Sequence, residues 1–297
     1  VATATPSPPL QHTSSRKPLL LSPLALWHLL SLDAPTVAVL WTWFIARANH
    51  IHLPIAATLA MGIAVWMLYA ADRLLDAQSA QQDTLEARHL FHHRHRTAFL
   101  TGILVASAAL AFLLPRLDTQ SIHLYLILGG LVFGYFILIH VTHSAAAHQK
   151  VAHRLPKEIA VGIFFAAAIF IPTVARQPHL RLALLPPALL FATLCSLNCL
   201  FIYAWEHTRA YTEHTAHTTT RLALRHLPFI AICITLASIA LALTDSSIPW
   251  PIPIATTIAA MLLLTLHQRN HHIQPTILRA AADMVLLTPI LFLPFLR

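Results

Sequence analysis

Long apolar runs recur from residue 23 onward, separated by short polar stretches, and this pattern limits the chain to very few folds. Crossing a bilayer takes about 20 consecutive apolar residues in helical form. Nine runs reach or approach that length: Pro23–Ala46, Leu53–Ala71, Ala98–Leu114, Ile122–Val141, Ile159–Ala175, Ala183–Tyr203, Leu227–Leu243, Ile252–Leu266 and Ile277–Leu296. Hydrocarbon offers no partner to a free N–H or C=O, so each run must satisfy its own backbone, which a helix does. Only 10% of the residues are charged, against about a quarter in a soluble domain. The expected architecture is an all-α polytopic membrane bundle of about nine transmembrane helices, forming one domain over residues 23–297. The eighth run is short, and a count of eight is the alternative. Residues 1–22 are rich in Pro, Ser and Thr and end near Arg16 and Lys17. A disordered tail is expected there, with no signal peptide, because no apolar stretch is followed by a cleavage site.

Charge gives the expected orientation. With the N-terminus inside, fourteen of the nineteen Lys and Arg fall on the inner side, leaving Arg47, Arg116, Arg176, Arg181 and Arg297 outside. This is the positive-inside pattern. It accounts for the net charge of +8 without invoking nucleic acid. The two longest connections, residues 72–97 and 204–226, fall on the same inner side, as do most of the 21 histidines. Loops elaborated on one face usually carry the chemistry. An integral protein of a bacterial inner membrane, N-terminus cytoplasmic, is the expected setting. Cys195, Cys199 and Cys233 lie inside apolar runs without ligand spacing and read as small buried hydrophobes.

Asp72 and Asp76 end the second run. Residues four apart share a helix face, and two carboxylates so placed can hold a divalent cation that in turn grips a diphosphate. Arg73 follows directly, and Tyr69 lies one turn back. Lys150, Arg154 and Lys157, with Pro156 and Glu158, open the fifth run as a basic cluster suited to phosphate oxygens. Asn198, Tyr203, Glu206, Arg209, Tyr211 and Glu213 close the sixth, and Glu206 and Glu213 lie two turns apart. Asp33 near the start of the first run is an intramembrane acid, a site hypothesis by default. Arg279 and Asp283 make an i,i+4 pair in the ninth run, read as a buried ion pair or a cavity lining. The histidines at 89, 92, 93 and 95, and at 271 and 272, could bind a transition metal or stand exposed at the interface. His28 and His140 are the within-span candidates for axial haem ligation.

Ala71-Asp-Arg-Leu-Leu-Asp76 resembles the first aspartate-rich motif of the UbiA superfamily of intramembrane prenyltransferases. Leu32-Asp-Ala-Pro35 is similar to that family's opening motif in helix one. Leu68 and Tyr69 stand where the family has Asn and Asp, Ser31 and Ala34 replace basic residues, and no aspartate lies between Asp118 and Asp245. The resemblance implies transfer of an isoprenyl group from a prenyl diphosphate to a lipid-soluble acceptor, with Mg²⁺. It implies metal ligation by Asp72, Asp76 and Glu206, and catalytic cations at Lys150, Arg154 and Lys157. It also implies contacts to the bound group from Tyr69, Arg73, Asn198 and Tyr203. The departures keep an alternative open: a non-catalytic UbiA-like subunit of a membrane complex, binding lipid, quinone or pigment beside partner subunits.

Overall fold

A computed structural model of the chain describes residues 23–79, 87–141, 157–207 and 218–296; among them every regular element is helical. In chain order the helices are α1 (Pro23–Leu29), α2 (Asp33–Ala48), α3 (Ile55–Ser79), α4 (Ala87–Arg94), α5 (Arg96–Leu113) and α6 (Thr119–Val141). They continue as α7 (Lys157–Arg176), α8 (Leu185–His207), α9 (Thr218–Arg225), α10 (Leu227–Thr244), α11 (Pro251–Gln268) and α12 (Pro275–Val285). A 3₁₀ stretch, Thr288–Phe295, follows. Seven helical segments of the described residues are long and apolar enough to cross a membrane, and eight if the bent pair α1–α2 counts as one. The fourth expected span corresponds to α6, a helix of 23 residues. The fold is thus the all-helical bundle read from the sequence, with a span count of seven or eight on this measure.

The core lies between α2, α7, α8 and α11. Trp41 and Phe44 from α2, Ile169 from α7, Phe191, Leu194 and Phe201 from α8, and Ile252 and Leu263 from α11 are fully buried there. Trp41 meets Phe191 at 4.3 Å between ring centroids and Phe44 edge-on at 5.6 Å. Lipid tails are as apolar as Leu, so helices in a bilayer associate through close backbone approach at small residues. Gly162 supplies that approach between α7 and α8: a Cβ there would stand 2.1 Å from Ser196 Oγ and 2.6 Å from the Ala192 carbonyl oxygen. By contrast α5, α6 and α10 turn Leu104, Phe112, Leu126, Phe133, Phe229 and Leu243 outward. That is the exterior a bundle presents to acyl chains.

Three breaks in the helical ladder are each closed by donors from elsewhere. The first expected span, Pro23–Ala46, is split between α1 and α2 by a bend of 88°. Ser31 sits in the left-handed region (φ 59°), unusual for a non-glycine residue, and Pro35 limits helix start to the residues just before it. The carbonyls around this elbow are taken by α3. Trp66 Nε1 donates to Leu30 O at 3.1 Å and Arg73 Nη1 to His28 O at 2.6 Å. These two donors are seven residues apart, two turns on one face.

The second break is chemical. Pro172 lies inside α7 and has no N–H for the carbonyl four residues earlier, that of Ala168. The Tyr125 hydroxyl of α6 donates to that oxygen at 3.1 Å. The third break splits the last expected span into α12 and the 3₁₀ stretch, where Pro289 and Pro294 interrupt the ladder. Trp41 Nε1 donates to Leu286 O at 2.7 Å, and Arg47 Nε to Leu296 O at 2.9 Å.

Candidate functional site

Two polar clusters occupy the same end of the bundle, where α2 and α12 begin and α3 ends. The first lies at the surface. Asp72 projects from the last turns of α3, and Lys157 opens α7. Their Oδ1 and Nζ atoms are 3.4 Å apart, with side chains 32% and 55% exposed. One residue of the acidic motif and one of the basic motif, 85 residues apart in sequence, therefore meet at the surface. Glu158, the next residue on α7, accepts a hydrogen bond from Thr220 of α9 at 3.2 Å.

The second cluster lies deeper. Asp33 begins α2, where the positive end of the helix dipole favours a carboxylate. Its Oδ1 accepts from the Ala34 N–H at 3.0 Å. Its Oδ2 receives Arg73 Nη2 at 3.2 Å and lies 2.6 Å from His28 Nδ1. All three side chains are almost completely buried. The 88° elbow creates this contact, because it folds α1 back so that His28 faces the residue five positions ahead. Asp283, in the last turn of α12, places Oδ2 3.9 Å from His28 Nδ1, and its Oδ1 accepts from Asn198 Nδ2 of α8 at 2.9 Å. One ligand atom each from His28, Asp33 and Asp283 can be chosen so that all lie within 4.8 Å of one another. Tyr69, one turn before Arg73, is packed against the core within electrostatic reach of Asp33 and Asp283. Arg279, one turn before Asp283, is within similar reach of Asp283 and His28.

The elbow also docks α4. Ser31 Oγ and His92 Nε2 are 3.1 Å apart, and the buried His92 ring stacks on Phe99 at 4.1 Å. Of the histidine run around it, His93 and His95 are exposed.

The sequence-derived candidates divide among these surroundings. Asp72 and Lys157 meet at the surface. Arg73 points inward onto the buried Asp33, and Asn198 onto the partly exposed Asp283. Tyr203 is half-buried on α8. Asp76 lies in α3 and Glu206 in α8, with their side chains outside the described residues, as are Lys150 and Arg154 altogether. Asp33 and Asp283 each stood out in the sequence as intramembrane acids, but nothing in the sequence pairs them across 250 residues. His28 came to notice only as a conceivable haem ligand. The signal that joins them is that each is a polar residue within a few turns of the same bundle end. Compared with models of known protein families, with curated proteins and with solved structures, the chain gives no match.

Proposed function

We propose that the chain is a membrane prenyltransferase of UbiA-like type, which takes an isoprenyl diphosphate at the Asp72–Lys157 mouth and passes the isoprenyl group to a lipid-soluble acceptor. The observation that carries this reading is the 3.4 Å approach of Asp72 Oδ1 to Lys157 Nζ, which brings the acidic end of α3 and the basic start of α7 to one point. The resemblance of residues 71–76 and 32–35 to UbiA motifs supports it independently. By charge asymmetry the mouth faces the cytoplasm, in a bacterial inner membrane.

The donor chemistry at the mouth suits Mg²⁺. Asp72 offers a hard carboxylate oxygen, and its part exposure leaves room for the waters that Mg²⁺ retains. Asp72 and Asp76 would hold the ion, with Glu206 available for a second. When bound, Mg²⁺ supplies positive charge to a diphosphate whose negative charge grows as the allylic C–O bond ionises. Lys157, with Lys150 and Arg154 nearby in sequence, adds fixed cations to the same oxygens. Such charge stabilisation is worth about 2.7–4 kcal/mol for one well-placed donor. The isoprenyl tail lies along apolar helix faces. Diphosphate release from a prenyl donor tests this: Asp72→Asn and Asp76→Asn should each lose about 100-fold or more in rate. Undiminished turnover in both variants rejects the reading.

A second reading has its own observation. Arg73 and Asn198, expected to contact the bound group, are engaged by the chain's own carboxylates, Asp33 and Asp283. A bundle whose polar residues serve its own packing suits a non-catalytic subunit that binds lipid, quinone or pigment. Purification with a stoichiometric partner chain or chromophore, and no Mg²⁺-dependent turnover, would favour it.

A further inference from the structure

We infer that His28, Asp33 and Asp283, supported by Asn198, form a buried site for one divalent transition-metal ion, separate from the diphosphate mouth. This inference does not depend on the proposed activity. It rests on counting hydrogen-bond partners. Asp33 is satisfied, with three donors on two oxygens. Asp283 is partly exposed: Oδ1 accepts from the Asn198 amide, Oδ2 lies 3.9 Å from His28 Nδ1, and the carboxyl sits against that of Asp33. The Asn198 carboxamide is turned onto Asp283, is 96% buried, and its own oxygen has no hydrogen-bond partner among the described residues. A buried carbonyl without a donor costs free energy unless something fills the gap. Two carboxylates set against each other beside an imidazole, with an unpartnered buried amide oxygen on the neighbouring side chain, call for a cation.

The donor set decides which cation. An imidazole nitrogen with carboxylate and amide oxygens suits Mn²⁺, Fe²⁺, Co²⁺ or Zn²⁺ better than Mg²⁺ or Ca²⁺, which favour oxygen alone. Ligand atoms of a tetrahedral ion lie roughly 3.4 Å apart, so binding would draw in a group now within 4.8 Å and open the 2.6 Å contact of His28 with Asp33. His28 Nδ1 and Asp33 Oδ2 are 2.6 Å apart; for Nδ1 to serve as a ligand of neutral imidazole, the ring proton must be carried on Nε2. Arg73 and the Ala34 N–H hold the Asp33 carboxylate in place from outside, the usual office of groups around a ligand.

The test is Co²⁺ titration of the full-length protein in detergent, followed by visible d–d absorption. Titrated in excess Mg²⁺, which would fill the Asp72 site, wild type should show one saturable Co²⁺ site. Asp283→Asn and His28→Gln should each weaken it by ~10–100-fold, and Asn198→Ala by about tenfold. Asp72→Asn should leave Co²⁺ binding unchanged, so that loss of the mouth and loss of this site read out separately. X-ray absorption of cobalt-loaded wild type should report a single imidazole among oxygen neighbours. That measurement needs no variant and therefore survives any failure of a variant to fold. Absence of a saturable site, equal affinity in wild type and Asp283→Asn, or several imidazoles around the metal would each overturn the inference. The last would assign the cobalt to exposed histidines such as His93 and His95.

Discussion

Asp72 and Arg73 are neighbours in the sequence and live in opposite environments. Asp72 meets Lys157 at 3.4 Å at the partly exposed surface. Arg73 is buried and reaches Asp33 at 3.2 Å together with a backbone carbonyl at 2.6 Å. One residue along a helix turns the side chain by about 100°, enough to separate a solvated ion pair from a desolvated one. The two pairs should differ sharply in what they contribute. An exposed pair gains little against water and side-chain entropy. A buried pair is costly to assemble, but removing one partner strands a charge in a place that cannot solvate it.

The largest effect should come from breaking the buried pair on one side only. Arg73→Met should cost about 3–5 kcal/mol of stability, seen as a loss of folded protein in detergent thermal scans. Pairing it with Asp33→Leu should recover much of that loss, since the stranded charge is then gone. A double substitution as damaging as the single would show that the charges serve more than each other.

A neutral buried contact should fall between the two ion pairs. Tyr125→Phe removes the donor that Pro172 makes necessary, at about 1–3 kcal/mol for an unsatisfied carbonyl. In a Pro172→Ala background the backbone can supply its own N–H, so the penalty should shrink. An undiminished penalty there would mean that the hydroxyl acts through something other than Ala168.

The exposed pair should barely register in stability. Lys157→Ala should change it by less than about 1 kcal/mol, and less still in high salt. The same variant should slow diphosphate release if the mouth does the proposed work. A large stability loss would instead make the mouth a structural joint.

The smallest effect concerns an acid outside the membrane segments. Asp245 accepts from the Ser247 hydroxyl at 2.6 Å and the Ser247 N–H at 2.9 Å, and these bonds hold its carboxyl below the usual range. A depressed value in the folded state means that the contribution is present above the ordinary carboxylate pKa and is lost as pH falls through the depressed one. Protection of the Ser247 amide, measured relative to its intrinsic exchange rate at each pH, should therefore fall with acidification, and Asp245→Asn should remove that dependence.

Much of the fold was legible because bilayer thickness imposes a length on every apolar run. The internal breaks were harder. Pro172, Pro289 and Pro294 are visible in the sequence, yet the donors that compensate them, Tyr125 and Trp41, come from distant helices. Ser31 carries no obvious breaking chemistry, and its left-handed backbone is set by how α1 docks. At the site, spacing rules detect partners on one helix, such as Asp72 and Asp76, and miss partners on several. His28, Asp33, Asn198 and Asp283 come from four helices, and their meeting depends on the elbow and on helix rotation, which packing alone decides. Lys157 beside Asp72 was within reach of sequence reasoning because both are helix-end residues on the side rich in positive charge.

The hook from Tyr125 to Ala168 has a mechanical corollary. Nearby, Asp118 caps α6 through Ser121 and stands 4.0 Å from Arg176 at the last turn of α7. The Arg176 tie falls some 30 Å along α7 from Lys157, and the Ala168 tie about 16 Å, near the middle of the helix. The Lys157 end is held separately, by the close seat of Gly162 on α8 and by the Thr220 hydroxyl on Glu158. The reach of the ammonium toward Asp72 is therefore indexed by α8 and α9 as much as by α6, and loosening either contact should widen that gap.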